Sequence, residues 1–226
     1  MNPYVNIHTH HVGEGINILD VGEGKAWVEK EKRRELVEGQ NVFYSVGVHP
    51  MKLNELGESV FVGIEDTVRI KKVIAIGECG LDRRSPICMK TQEEILEVQV
   101  RLAEELCKPL IIHCVKAYSE LIAVRKRTKS SVPWIVHGYN NNERILRQLL
   151  DCEFYISVGA ALSDSRSNAF QLLRMIPAER LFLENDDKEV EISVIYETAS
   201  AILGVVRLRP RASTARGNNY NKVFRK

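Results

Sequence analysis

The feature that most constrains the fold is a series of eight short apolar runs that alternate with longer segments of helical periodicity. Runs of this length, rich in β-branched residues, are typical of parallel strands buried on both faces. Their alternation with helices in one continuous chain predicts an α/β fold, a single (β/α)8 TIM barrel. The runs are residues 5–8, 16–21, 42–48, 73–77, 110–112, 134–136, 154–158 and 181–183.

Helical patterns fill most of the intervals, and the first interval is the exception. Only residues 11–15 separate the first two runs, fewer than the dozen or so that a parallel crossover normally needs. We therefore expect the first helix to be short or missing, which fits a chain of 226 residues against about 250 for a typical barrel. Helices are predicted over residues 25–38, 93–106, 118–127, 142–150, 166–175 and 192–202, with Asn141 or Asn142 as the cap of the fourth.

Length and composition indicate one domain spanning residues 1–226, with 44% hydrophobic and 27% charged residues. No run of eighteen apolar residues occurs, so no membrane association is expected. The start of the sequence lacks the pattern of a signal peptide, which predicts a cytoplasmic location, and no obligate protein partner is evident. Five cysteines without a Cys-x-x-Cys pair argue against a disulfide framework or a thiolate zinc site.

The net charge of +2 is unevenly distributed. The segment 205–226 carries seven basic residues and no acidic one, so the rest of the chain is net acidic. Such a tail can attract phosphates, but a solvated helix face is the favoured interpretation.

Polar side chains occupy one repeated position, at or just after the carboxyl end of an apolar run. Barrel enzymes build their active sites at that end. Five of the six histidines fall there, whereas scattered placement would put many of them on helices. In a strand, His8 and His10 point to the same face because they are two residues apart. The full set is His8, His10, His49, Glu78, His113, His137 and Asp186.

Imidazole and carboxylate groups that converge at a barrel mouth can hold divalent metal ions and leave positions open for water and substrate. Glu78 can bridge two ions about 3.5–4 Å apart, as in two-metal hydrolases. Asp186 can ligate one ion and accept the proton of the attacking water. It is expected beside the first strand, because strands one and eight meet when a barrel closes. Mg, Mn, Zn, Ni and Co are all compatible with these ligands.

Six motifs in this order resemble those of the TatD family of metal-dependent deoxyribonucleases and related hydrolases. They are His8-Thr9-His10, Gly47-Val48-His49-Pro50, Ile76-Gly77-Glu78-Cys79-Gly80-Leu81-Asp82, Ile112-His113-Cys114, His137-Gly138 and Leu183-Glu184-Asn185-Asp186, and the ending Asn218 to Phe224 is similar to the family's terminal helix.

The resemblance implies a metal-dependent barrel hydrolase of phosphodiester bonds, most often one that removes nucleotides from DNA 3′ ends. It implies a catalytic set of Asp186, Glu78 and His49, with His49 also contacting a phosphate oxygen of the substrate. Two divalent ions are implied, one held by His8, His10, Glu78 and Asp186 and the other by Glu78, His113 and His137.

The sequence departs from the family pattern around the substrate. Val115 stands where an arginine is frequent in the family. Lys116 and Arg83 are therefore predicted as substrate-binding residues, with Arg84 as a further source of positive charge. Asp82 is expected either to orient a metal ligand or to cap its own loop.

Three other function classes compete with this one. Amidohydrolase-type enzymes acting on a small amide, lactone or phosphoester also begin with His-x-His, but many use a carbamylated lysine where this chain has Glu78. Polymerase-associated phosphoesterase barrels need further histidines that this chain lacks. A non-enzymatic barrel fits poorly, because structural zinc sites are usually closed sets of four ligands.

Overall fold

The computed structural model describes residues 4–22, 41–52, 64–205 and 219–224. One sheet of eight parallel strands runs in sequence order from β1 to β8, which confirms the predicted (β/α)8 architecture. The strands are β1 (Val5–Thr9), β2 (Ile16–Asp20), β3 (Val42–Val46), β4 (Val73–Asp82), β5 (Leu110–Val115), β6 (Trp134–Val136), β7 (Tyr155–Val158) and β8 (Leu181–Leu183).

The barrel closes between its first and last strands at their carboxyl ends. Thr9 and Asp186 form a parallel bridge. The backbone N–H of Asp186 donates to the carbonyl of His8 at 3.1 Å, and the N–H of His10 donates to the carbonyl of Asp186 at 3.2 Å. The predicted proximity of Asp186 to the first strand is confirmed.

Helices follow the later strands and lie outside the sheet. Most predicted helices are confirmed, but the one predicted over 166–175 divides into a short helix and a 3₁₀ turn at Leu173–Met175. The helix predicted over 25–38 lies outside the described residues. The α-helices with both ends in the described residues are α1 (Met89–Leu106), α2 (Tyr118–Thr128), α3 (Glu143–Asp151), α4 (Asn168–Leu172), α5 (Ile192–Leu203) and α6 (Asn219–Phe224).

The connection between β1 and β2 contains no helix, as predicted, and residues 10–15 are all described. Asn17 holds this connection by donating from its side-chain amide to the carbonyls of Gly13 at 2.9 Å and Gly15 at 3.2 Å. Gly15 has a φ of 87°, and a Cβ there would lie 2.4 Å from the carbonyl oxygen of Tyr4. Only glycine therefore fits this tight return.

Apolar side chains form two clusters. The larger cluster packs strands against the surrounding helices, for example Trp134 and Leu121. The smaller cluster fills the amino end of the barrel and includes three residues of α6, namely Tyr220, Val223 and Phe224. The carboxyl end of the barrel is therefore the open end, and it carries the polar groups.

Candidate metal centre

Glu78 is the centre of the polar cluster at the barrel mouth. Its Oε1 lies 2.7 Å from Nδ1 of His113, 2.8 Å from Nε2 of His137 and 3.3 Å from Nε2 of His49. Its Oε2 lies 3.6 Å from Nε2 of His8. One nearly buried carboxylate thus faces histidines that come from four different strand ends.

Asp186 completes the cluster on the side of β1. Its Oδ1 lies 3.4 Å from Nε2 of His8 and 3.5 Å from Nε2 of His10. Asp186 has a left-handed backbone conformation, with a φ of 54°. Non-glycine residues in this conformation are uncommon and recur at functional sites, and aspartate tolerates it better than most. The structure therefore brings together all six metal ligands expected from the sequence, with His49 beside them.

The candidate ligand atoms form three overlapping groups within 4.8 Å: His8, His10 and Glu78; His8, His137 and Asp186; and His49, Glu78 and His113. This grouping differs in part from the division that the family resemblance implies. His137 contacts Glu78 but also groups with the β1 side, and His49 occupies a ligand position beside His113.

The chemistry of His8 fits a metal ligand. Its side chain is fully buried, yet neither ring nitrogen has a hydrogen-bond partner among the described residues. Leaving a buried polar group unpartnered costs about 1–3 kcal/mol, so such groups call for an explanation. Imidazole nitrogens grouped with carboxylate oxygens are the ligands that catalytic divalent ions take. The donor set therefore fits bound metal.

Two glycines of the sequence motifs allow the strands to approach closely enough to build this cluster. A Cβ on Gly47 would lie 2.8 Å from Cα of Gly77, next to Glu78. A Cβ on Gly80 would lie 1.9 Å from the carbonyl oxygen of His113. Larger residues at either position would push His49 or His113 away from Glu78.

The pairing of strands is irregular close to two residues of the cluster, His8 and Glu78. The register of β1 against β2 shifts between Asn6 and Thr9, and that of β4 against β5 shifts between Ile76 and Cys79. Bulges of this kind redirect side chains and recur beside active sites. They lie at His8 and Glu78, the two residues that face both sides of the cluster.

Two buried carboxylates contact the ring nitrogens of His113 and His137 that face away from Glu78. Asp82 Oδ2 lies 3.0 Å from Nε2 of His113, and Glu184 Oε1 lies 3.3 Å from Nδ1 of His137. Carboxylates in this position fix the orientation of a metal-binding imidazole and raise its ligand strength. Asp82 also accepts the backbone N–H of Arg84 at 2.8 Å, so its contacts are compatible with both of the roles predicted for it from the sequence.

Sequence reasoning missed two acidic residues of this site. Glu184 is fully buried and also accepts the N–H of Gly138 at 2.6 Å. Asp20 lies at the end of β2 and accepts the N–H of Glu78 at 2.9 Å. The second apolar run was predicted to end at Val21, whereas β2 ends at Asp20. With the correct end, the strand-end criterion identifies Asp20.

The electrostatic balance keeps the central carboxylates ionised. Burial by itself raises the pKa of Glu78, but contacts with His113, His137 and His49 lower it far below its usual range. Burial likewise opposes ionisation of Asp186, and His10 and His8 outweigh it, so its pKa is also lowered. Burial lowers the pKa of His137, while Glu184 and Glu78 raise it to well above the ordinary value. Asp20 has a raised pKa because it is buried beside Glu78.

The residues predicted to contact substrate lie around this cluster. The Arg83 guanidinium donates from Nε to the carbonyl of Lys116 at 2.9 Å and pairs with Glu120. Lys116 turns the chain after β5 with a φ of 54°. His49 is held by the N–H of Met51, which donates to its Nδ1 at 3.1 Å. The substrate contacts of these residues stay predictions.

Comparison with known proteins settles the family. The family model described as TatD related DNase matches residues 6–203. This chain belongs to the TatD family. Among the described residues, no helix has the length and apolarity needed to cross a membrane.

The relatives extend beyond the part that this chain matches. The 3'-5' ssDNA/RNA exonuclease TatD of Edwardsiella piscicida is 34% identical over 146 residues, which cover 63% of this chain and 56% of that protein. An uncharacterized metal-dependent hydrolase of Bacillus subtilis is 28% identical over 158 residues, covering 67% of this chain and 61% of that protein. The chain thus spans little more than half the length of the exonuclease.

Solved structures support the fold. A TatD homologue from Escherichia coli K12 superposes with a TM-score of 0.81 at 19% identity, covering 99% of this chain and 98% of that one. A TatD family hydrolase from Entamoeba histolytica gives a TM-score of 0.71 at 20% identity, covering 90% and 92%.

Proposed function

We propose that this TatD family member is a divalent-metal-dependent phosphodiesterase that removes nucleotides from the 3′ end of single-stranded DNA or RNA. The observation that carries the proposal is the ring of histidines and carboxylates around Glu78 at the open end of the barrel. The substrate class is supported by the relatives named as exonucleases.

Two bound ions are proposed, because Glu78 belongs to one candidate ligand group with His8 and His10 and to another with His49 and His113. Asp20, Glu78, Glu184 and Asp186 have no lysine or arginine partner among the described residues, whereas Asp82 is paired with Arg84. Bound cations would balance the charge of the ionised carboxylates Glu78 and Asp186. The proposed ligands are His8, His10, Glu78 and Asp186 for one ion, and Glu78, His113 and His137 for the other, with His49 next to the second.

Bound divalent ions would supply Lewis acidity, which stabilises negative charge on phosphoryl oxygens and makes water a nucleophile near neutral pH. The protein supplies orientation and proton transfer. Asp186 is ionised and about one third exposed at the mouth, so its carboxylate can accept the proton of the attacking water. A phosphate contact by His49 is proposed, and its position beside Glu78, with Nε2 3.3 Å from Oε1, supports this.

The proposal takes residues 1–226 as one hydrolase domain, which the single sheet supports. A cytoplasmic location stays a prediction of the sequence. The basic segment 205–226 lies almost wholly outside the described residues, so its interpretation as a solvated face also stays a prediction.

The test is hydrolysis of single-stranded DNA and RNA oligonucleotides that carry an internal label and a free 3′ end. Metal-stripped protein receives Mg, Mn, Zn, Ni or Co in turn. We expect stepwise 3′ shortening that needs metal and falls by about a thousandfold or more in Asp186→Asn, because the proton acceptor and a ligand are lost together. Asp187→Asn is the matched control, since Asp187 is exposed and pairs only with Lys188 among the described residues.

Absence of cleavage with every metal would refute the nuclease assignment. Turnover of a small amide, lactone or phosphoester by the same preparation would then move the site to the amidohydrolase-type reaction.

A further inference from the structure

Arg84 is joined to the metal centre by an unbroken chain of polar contacts. Its Nη2 donates to Oδ2 of Asp82 at 2.7 Å, and its Nε lies 3.1 and 3.2 Å from the two carboxylate oxygens. The same Oδ2 lies 3.0 Å from Nε2 of His113, whose Nδ1 faces Glu78 at 2.7 Å. The half-exposed Arg84 guanidinium therefore binds the Asp82 carboxylate, which in turn contacts the candidate metal ligand His113.

Because Asp82 is buried, its position depends on the contact with Arg84. The Asp82 side chain is fully buried, whereas 59% of the Arg84 side chain is exposed. A buried carboxylate needs compensating donors, and its position follows those donors. Arg84 and His113 hold this carboxylate from two sides.

The chain contains a second Asp-x-Arg turn that lacks the histidine. In Asp164-Ser165-Arg166, the backbone N–H of Arg166 donates to Asp164 Oδ1 at 2.9 Å, and its Nε lies 3.2 Å from the same oxygen. Both side chains are exposed there, at 89% and 53% for Arg166 and Asp164. Exposed pairs of this kind contribute little to stability. The local turn is shared, but Asp82 is buried and contacts His113, whereas Asp164 is exposed.

The other oriented histidine has no such cation. His137 is held by Glu184, and no arginine or lysine pairs with Glu184 among the described residues. Each of the two carboxylates accepts a backbone N–H, from Gly138 at Glu184 and from Arg84 at Asp82. Within the described part of the chain, only Asp82 is also held by a guanidinium.

We propose that Arg84 is a positioning residue that holds Asp82 so that His113 presents its Nδ1 to the metal centre. The inference rests on the proposed function only in so far as His113 binds metal. Removal of the Arg84 side chain leaves Asp82 Oδ2 without its guanidinium donor, while Oδ1 keeps the backbone N–H of residue 84. The carboxylate is then held less firmly, and so is the His113 ring that contacts Oδ2. Partners of metal-binding histidines are typically worth 10–100-fold in metal affinity.

The experiment measures Mn²⁺ binding by calorimetry on metal-stripped protein and the visible spectrum of the Co²⁺-loaded protein. Arg84→Ala is expected to weaken at least one Mn²⁺ site by about tenfold or more and to change the Co²⁺ bands, which report ligand geometry. Arg84→Lys keeps the charge without the two-point contact, so it should restore part of the loss. Arg166→Ala is the matched control and should bind both metals as the wild type does.

Three results would overturn the inference. Wild-type Mn²⁺ affinity and Co²⁺ bands in Arg84→Ala would do so. So would a rise in KM for the oligonucleotide with metal binding unchanged, which would assign Arg84 to substrate. A lower unfolding temperature alone would reduce Arg84 to a structural role. If Arg84→Ala does not fold, Arg84→Lys decides, and metal binding identical to the wild type would refute the proposal.

The two proposals fail in different ways. A wild-type protein that cleaves no nucleic acid but shows the Arg84 effect on Mn²⁺ would refute the nuclease function and leave the positioning role intact. A protein that cleaves DNA with unaltered metal binding in Arg84→Ala would do the reverse.

Discussion

The two ends of the barrel are built from the same strands and have opposite character. At the amino end, Phe182 packs against Phe224 with ring centroids 5.9 Å apart, and Phe43 lies 6.4 Å from Tyr220. At the carboxyl end, the side chains are acids and histidines, and His8 leaves both ring nitrogens without a hydrogen bond among the described residues.

This difference shows how one fold separates stability from chemistry. The amino end buries aromatic surface, and each fully buried large side chain contributes about 1.5–3 kcal/mol. The carboxyl end concentrates like charges, which burial and mutual repulsion make unfavourable without cations. Substitutions at the two ends should therefore have different signatures, one in activity and the other in unfolding.

The largest effect is expected at Glu78. In Glu78→Gln the shared carboxylate is lost while the side chain keeps its shape, so hydrolysis should fall by about a thousandfold or more and metal binding should weaken. The metal-free protein should keep its fold, because the amide oxygen can still accept hydrogen bonds from the histidines. The measurements are oligonucleotide cleavage with Mn²⁺ and thermal unfolding in chelator. More than a tenth of wild-type activity in Glu78→Gln would contradict the assignment of the chemistry to the carboxyl end. Glu105→Gln is the control, because Glu105 is an exposed acid paired with Arg69.

The second effect is expected at the opposite end. Phe224→Ala removes a ring that packs on Phe182 and Tyr220, so the free energy of unfolding should fall by about 3 kcal/mol. The activity of the folded fraction should be unchanged, since α6 lies away from the mouth. Urea unfolding and kcat measured well below the unfolding midpoint test this. A drop in kcat with unaltered stability would show that the two ends are coupled.

The smallest effect is expected for a charge at the amino end. The Arg180 guanidinium lies 4.9 Å from the centroid of the Tyr155 ring and donates to the carbonyl of Glu153 at 2.7 Å. Arg180→Ala should lower the free energy of unfolding by about 1 kcal/mol, with no change in metal binding or turnover. A loss of metal affinity in this variant would contradict the comparison, because it would show that a charge at the amino end of the barrel affects metal binding at the carboxyl end.

Much of the site could be predicted because strand ends are visible in the sequence. A run of apolar residues followed by histidine or an acid located His49, His113 and His137 without any knowledge of contacts. The ligand oxygen of Glu78 and the bulges that direct it could not be predicted in this way, since they depend on pairing between β4 and β5.

Asp20 and Glu184 were missed for a related reason. Glu184 directly follows β8, in a motif from which only Asp186 was predicted as a site residue. Asp20 acts through the backbone N–H of Glu78, a partner 58 residues away in the chain. The link from Arg84 to His113 was equally hidden, because it needs the register of β4 with β5. Local patterns identify ligands, whereas the groups that hold them follow from tertiary contacts.

The packing of α6 under the barrel has a consequence for how this chain folds. The contact between Tyr220 and Phe43 joins residues separated by most of the sequence, and so does the bridge between Thr9 and Asp186. Contacts at such separation slow folding, because the loop entropy is lost before the contact forms. During synthesis, Val5 and Ile16 must wait for residues near 220 to leave the ribosome before their apolar end is covered. The apolar amino end of the nascent barrel therefore stays uncovered until α6 has been synthesised.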